Sequence, residues 1–542
     1  MNFKRAKLIF TAIGVIILIT NGTINAQENS NQMPHIVNNN GHYSLIVNGQ
    51  PFFIMGGQAH NSSAWPGMMP GVWKAIETMH ANTLEAPIYW EQIEAQQGNF
   101  NFSLIDTLLF QAREHNVHLV LLWFATWKNG SNHYMPEWMK LDSKKYPNIL
   151  GKDGQPVDSP SPHNRIAMEA DAKAFTAVMA YLKKADPQHT VIMVQVENEP
   201  GTWGSVRDFS PEAQKLFNGQ VPNELLKPEI LKELKKPVVT KGSWSEVFGT
   251  DADEYFHAWS VARYIEYVAA AGKAVNPLPL YVNAALRDPL TNPSATTYES
   301  GGPTDNVIPI WKAAAPAIDL LAPDIYLPES ERALKVIERY DRADNPLFVP
   351  EIGLSPEFAR YFYPVLASGG IGFSPFGVDD NGRGENEKET QDRLTSIARE
   401  YAIVGSMMKE LIKWSSEGKI KSIIEREDHA IQTVNLGAWQ AVVTFGMAKR
   451  NIITENEKPM GNLMIIKLGE NDFLFIGALY HLTFNPTGQN AGKAWQFLKV
   501  EEGWYDDGEF KQLRVRNGDE TDWGGPSIGP LQTVLHITLT TR

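Results

Sequence analysis

The chain has 542 residues, of which 43% are hydrophobic and 20% charged, with no cysteine and a net charge of −13. Lack of cysteine excludes disulfides, thiolate metal sites and cysteine nucleophiles. The acidic balance argues against nucleic acid, whose phosphates demand basic patches, and fits a neutral partner such as a glycan, on whose rings some of the 15 Trp would stack.

Residues 1–26 read as a secretory signal peptide. Lys4, Arg5 and Lys7 form its basic start, an apolar stretch runs from Leu8 to Ile19, and Ala26 offers a small residue before the cut. The stretch is shorter than the roughly 20 residues of a membrane span, so no stable span is expected. No cysteine follows to carry a lipid. Cleavage removes three positive charges and no negative ones, taking −13 to −16. The expected location is secreted or periplasmic.

The segment HYSLIVNGQPFFIMGG predicts a hairpin turning at Asn48-Gly49. Eight strand candidates follow: Phe52–Gly57, Thr83–Trp90, Val117–Ala125, Val191–Asn198, Leu280–Ala285, Ile318–Tyr326, Leu347–Ile352 and Gly370–Phe376. Helical patterns lie between or after them, among them Ile166–Lys184, Tyr255–Ala271, Ser330–Tyr340 and Glu387–Leu411. This alternation predicts an α/β fold, a (β/α)8 TIM barrel over residues 27–419. An open doubly wound sheet is the weaker alternative, because no Gly-rich phosphate turn follows the first strand. An insertion at residues 201–254, with Trp203, Trp244 and a lysine-rich patch from Lys227 to Lys241, is expected at the rim of the catalytic face. After Lys419, segments such as AWQAVVTFG, GNLMIIKLG, DFLFIGALY and QTVLHITLTT predict a C-terminal all-β, sandwich-like domain over 420–542. Covering the barrel is the expected role of that domain.

Barrel chemistry sits at the C-terminal ends of strands. Glu199 closes VIMVQVENEPG and Glu351 closes PLFVPEIG, on the fourth and seventh strands of the count. Stability does not ask for carboxylates at the tips of apolar strands, since burying a charge is costly. A strand-end Glu that merely holds an Arg or a helix N-terminus explains either one alone, but explains the pair poorly. Two facing carboxyls suit cleavage of a glycosidic bond, one protonating the leaving oxygen and the other attacking the anomeric carbon. Spacing does not say which Glu takes which part. Glu197, two residues before Glu199, is expected as a supporting ion-pair partner. Glu94 reads as a loop carboxylate, and Trp90 as either the floor of a sugar site or packing. Asp379-Asp380 with Asn381-Gly382 lacks the ligand spacing of a calcium loop and reads as a solvated acidic rim.

The segment from Glu77 to Phe102, with Met79, Asn82, Thr83, Trp90, Glu94, Gly98, Phe100 and Phe102, resembles the second-strand signature of family-35 glycoside hydrolases, the β-galactosidases of clan A. VQVENEPG is similar to that family's acid/base strand, PEIG at 350–353 to its nucleophile strand, and DIYLP at 324–328 to its sixth strand. The resemblance covers about residues 40–415. It implies Glu199 as acid/base, Glu351 as nucleophile, Asn198 as the contact to the sugar 2-hydroxyl, and Tyr326 as the residue orienting the nucleophile. It fails at the third strand, where Thr126 stands in place of the family's sugar-binding Glu. There WFATWKNG looks more like a shorter bacterial branch that includes β-galactosidases acting on xyloglucan side chains, which makes Trp127, Lys128 and Asn129 candidates for holding the sugar. The implied activity is retaining, exo-acting release of terminal β-galactose from a carbohydrate substrate, without metal or organic cofactor. Other clan A exo-glycosidases, acting on arabinosides or glucuronides, and a catalytically silent glycan-binding barrel are the alternatives.

Overall fold

Val47 pairs with Gln50 across a two-residue turn, with Asn48 at φ +52° and Gly49 at φ +72°, the left-handed pair that a tight hairpin needs and that Asn-Gly supplies. The computed structural model describes residues 32–380, 384–445, 458–506, 508–522 and 524–542. The predicted signal peptide, and Asn381-Gly382 of the acidic loop, lie outside the described residues.

The hairpin feeds eight parallel strands: β1 (Ile54–Gln58), β2 (Thr83–Tyr89), β3 (His118–Lys128), β4 (Val191–Asn198), β5 (Leu280–Ala285), β6 (Leu320–Ile325), β7 (Phe348–Ile352) and β8 (Gly372–Pro375). They close in sequential order into a barrel, β8 pairing with β1. Every residue of β2, β4, β6 and β7 is buried, because helices cover the outside and side chains fill the inside. The small residues of β8 have a steric reason: a Cβ built on Gly372 would stand 2.5 Å from the Cβ of Ile54. Helix α1 (Arg165–Ala185) starts at Asn164, whose side chain accepts from the Ile166 and Ala167 amides. It packs on α2 (Ala252–Val275), where Gly272 abuts the ring of Phe175. The helix expected over Glu387–Leu411 is two helices, Glu387–Gly405 and Met408–Ser416. Gly405 and Ser406, poor helix formers both, fall at the break.

The C-terminal part is a six-stranded sheet (in order 420–424, 462–467, 472–478, 533–541, 495–506, 509–515) against a four-stranded one (432–435, 439–445, 480–486, 527–528). Side-chain alternation splits the larger sheet between two cores. Leu463, Ile465, Phe473 and Phe475 face the smaller sheet, while Met464, Ile466, Leu474 and Ile476 join the core of the barrel. Polar ties reinforce this seam. Arg360, 1% exposed, donates to the carbonyls of Glu425, Pro459 and Pro328 and to Glu427 Oε1. Glu427 in turn accepts from the amide and hydroxyl of Ser330, the first residue of the helix Ser330–Tyr340. Glu400, buried in the barrel's last long helix, accepts from Asn462 Nδ2 at 2.5 Å and from Gln532 Nε2.

Candidate active site

Glu199 follows the last residue of β4 and Glu351 lies in β7. One carboxylate oxygen from each, and one from Asp324 of β6, lie within 4.8 Å of one another. Glu351 is held on both oxygens: the Tyr326 hydroxyl donates to Oε1 at 2.5 Å and Gln58 Nε2 to Oε2 at 3.1 Å. Glu199 is 9% exposed. Burial, joined by the charge of Glu351, pushes its carboxyl up to about 7, against an opposing pull from the Lys128 ammonium. Asn283 links the group from below. Its Oδ1 accepts the Glu199 amide at 2.8 Å and its Nδ2 donates to Asp324 Oδ2 at 2.6 Å. Burial, and then the two glutamates, also push Asp324 well above the usual carboxylate range. The cluster therefore offers a carboxyl poised to give or take a proton near neutrality, beside a carboxylate fixed by two donors. Among the described residues these three are the one group of acidic or imidazole side chains close enough to share a metal ion.

The end of β4 is bent to aim Glu199. Glu197 and Glu199 both have left-handed backbones, φ +63° and +43°, conformations costing about 1–3 kcal/mol each that surrounding structure has to hold. Glu197 does not form the expected ion pair. Its Oε2 accepts the Trp127 amide at 2.6 Å, and its neighbour is another acid, Asp171, so that burial and that neighbour push it far up. Thr126 belongs to the same buried cluster, donating to Asp171 Oδ2 at 2.6 Å with Tyr264 beside it.

The remaining predicted residues divide. Tyr326 meets the nucleophile candidate as the resemblance implies. Asn198 is buried beside Glu199 with neither amide atom partnered. Asn129 is exposed, its Oδ1 taking a hydrogen bond from Lys128. Trp90 and Trp127 require correction, because both are fully buried. Trp90 donates to Glu94 at 2.8 Å and packs beside Trp123 and Trp138; Trp127 packs edge-on against Tyr264. Neither presents a ring to a sugar. Glu94 also accepts the Gly98 amide and so folds its own loop. Asp379 is no solvated rim: 2% exposed, it accepts from the His60 amide and ring and from the Ser63 hydroxyl, tying the loop after β8 to the loop after β1. In the 201–254 insertion Trp244 is core, whereas Trp203 stands at the rim, 49% exposed. Sequence reasoning missed Gln58, Asn283 and Asp324. Of these, Asp324 alone left a trace, as the first letter of DIYLP.

Residues 72–275 match the family model described as Beta-galactosidase (Glyco_hydro_42), a stretch that includes β2 to β4 and Glu199. A barrel with paired carboxyls at its strand ends, and this match over β2 to β4, make the chain similar to β-galactosidases among the glycoside hydrolases. The model is that of family 42, where the motifs resemble family 35. Residues 397–525 match a domain of unknown function (DUF5597). Beta-galactosidase 11 of Arabidopsis thaliana is 32% identical over 104 residues, 18% of this chain and 12% of its own. Beta-galactosidase 13 of the same plant is 35% identical over 60 residues, 11% and 7%. The match thus spans about a tenth of these relatives' length. Among solved structures, the β-galactosidase of Bacillus circulans sp. alkalophilus aligns with a TM-score of 0.47 at 14% identity, over 65% of this chain and 56% of that one. For the enzyme of Rahnella sp. R3 the values are 0.45, 17%, 66% and 57%.

Proposed function

We propose that this chain is a retaining, exo-acting β-galactosidase of the family-35 type, with Glu351 as nucleophile and Glu199 as acid/base. The observation that carries this reading is the approach of the Glu199 and Glu351 carboxyls to within 4.8 Å. Retaining enzymes hold their two carboxyls about 5–5.5 Å apart, whereas inverting ones leave about 6.5–9.5 Å for a water between. Glu351, aimed by Tyr326 and Gln58, attacks the anomeric carbon. Glu199, protonated near neutrality, gives its proton to the departing oxygen and then takes one from the water that releases the sugar. Asn198, its amide without internal partners, meets the sugar 2-hydroxyl.

The WFATWKNG segment supports galactosylated xyloglucan side chains as substrate, and Lys4 to Ala26 support a secreted or periplasmic location. Residues 1–26 are then a leader, 27–419 the catalytic barrel, and 420–542 a domain that braces it. The test is labelling with 2-deoxy-2-fluoro-β-galactosyl fluoride. The expected result is one covalent adduct on Glu351 and, with an unmodified β-galactoside in a separate reaction, β-galactose as the first product in the NMR spectrum. An adduct elsewhere, or α-galactose appearing first, rejects the assignment. Labelling by the arabinosyl or glucuronyl analogue alone assigns a different sugar, and inertness to every analogue identifies a silent glycan binder.

A further inference from the structure

The loop after β4 holds an aromatic ring that bond cleavage at Glu199 and Glu351 leaves unused. Trp203 is 49% exposed, yet it is tethered on both sides. The residue before it, Thr202, exchanges backbone hydrogen bonds of 2.9 and 3.0 Å with Ser300. The Thr202 hydroxyl meets Ser159 Oγ and His257 Nε2, each at 3.0 Å. Gly201 sits at φ +156°, where a Cβ would come within 2.9 Å of the Ser300 carbonyl, so the crossing requires glycine. The indole N–H donates to Oε1 of Glu299, a carboxyl 1% exposed whose other oxygen has no partner. Burying an acid is costly, and an exposed ring that serves no ligand does not need one as an anchor.

The ring also stands on the proton-donating side of the site. The Gly130 amide donates to the Glu199 carbonyl at 3.0 Å, and a Cβ built on Gly130 would lie 3.2 Å from Trp203 Cδ1. Burial and then the charge of Glu199 shift Glu299, so the anchoring acid lies within electrostatic reach of the proton donor. Asn129, exposed and adjacent to Gly130 in the chain, brings an amide to the same turn. A flat apolar face next to a hydrogen-bonding group suits a ring with a CH face and hydroxyl edges.

We propose that Trp203 is the platform of a leaving-group subsite that stacks on a pyranose ring, so that the substrate is a galactoside whose aglycone is itself a sugar of an oligo- or polysaccharide. The proposal rests on the reading of Glu199 as acid/base, because that role places the departing group beside this wall. A platform already fixed in place loses little freedom on binding, which favours affinity.

The experiment compares two substrates in the full chain: β-galactosyl fluoride, whose leaving group is one atom, and a galactosylated xylogluco-oligosaccharide. For Trp203→Ala and Trp203→Leu, the ratio of kcat/KM for the oligosaccharide to that for the fluoride is expected to fall about tenfold or more. Trp203→Phe, which restores a flat ring, is expected to recover most of that ratio. An unchanged ratio in all three variants overturns the platform, as does an equal loss in Phe and Leu variants. If the wild type ignores galactosyl fluoride but turns over another glycosyl fluoride, the galactose assignment fails, and the same ratio measured with that glycone still decides the role of Trp203. A wild type inert to every fluoride and oligosaccharide overturns both.

Discussion

Tyr326 reaches Glu351 through a 2.5 Å hydrogen bond from its phenol to Oε1, although the residue is 45% exposed. On the proposed reading, an exposed tyrosine bonded to a buried carboxylate serves to aim it. Tyr326→Phe removes one hydrogen bond to a charged group, worth about 1.5–3 kcal/mol. The expected outcome is a ten- to hundredfold fall in kcat with little change in melting temperature, read by steady-state kinetics and calorimetry. Unaltered kcat would mean that the phenol does not aim the nucleophile.

The two glutamates should separate by leaving group. Glu351→Gln is expected to lose turnover of every galactoside by at least about a thousandfold. Glu199→Gln is expected to lose about 10²–10⁴ with natural glycans but much less with a dinitrophenyl galactoside, whose departure needs no proton. A uniform loss across leaving groups in Glu199→Gln would remove its role as the acid.

A carboxyl titrating at about 7 has to be protonated to act, so kcat/KM should decline as pH rises through about 7. The Lys128 ammonium opposes the upward shift of Glu199. Its removal in Lys128→Met should therefore raise that value further and carry the alkaline limb to higher pH, whatever happens to the maximum rate. A limb that stays, or moves toward acid, would contradict the electrostatic assignment.

Buried acids also set the pH dependence of stability. Glu400 is pushed up from 4.5 to about 7 and Glu85 to about 8, burial being the main cause in both. Each holds its proton more tightly folded than unfolded. The resulting stability is complete below pH 4.5 and is lost as pH rises through 7 and 8. For Glu400 the contribution is about 3 kcal/mol. The melting temperature should drop between pH 5 and pH 8, and Glu400→Gln, still able to accept from Asn462 and Gln532, should flatten that drop. Coincident slopes for variant and wild type would refute it.

The elements that were legible obeyed simple periods. β4, β5 and the helix Ser330–Tyr340 fall on the expected residues, and Glu199 and Glu351 stood out as a pair because a structural role explains two acids ending apolar strands poorly. Gln58 and Asn283 were not visible. They come from β1 and β5, and their nearness to the glutamates arises when the barrel closes, which no spacing along the chain encodes. Trp127 misled for a different reason. The pairing of β3 with β4 shifts register between Trp123 and Lys128, and such a shift re-aims the side chains beyond it. Glu197 was read as half of an ion pair because two acids in mutual contact, Glu197 and Asp171, are the less common solution.

The Arg360–Glu427 tie binds the carbonyl of Pro328, two residues past Tyr326, to a strand-and-turn region on the far side of the seam. The loops after β6 and β7 are thereby moored outside the barrel that makes them. A barrel expressed without its companion would keep both glutamates yet leave the loops around them slack. The two halves are for this reason not interchangeable cassettes. A transplanted β module would need its own counterpart of Glu427, or those loops would lose their mooring without any change to the acids at the strand ends.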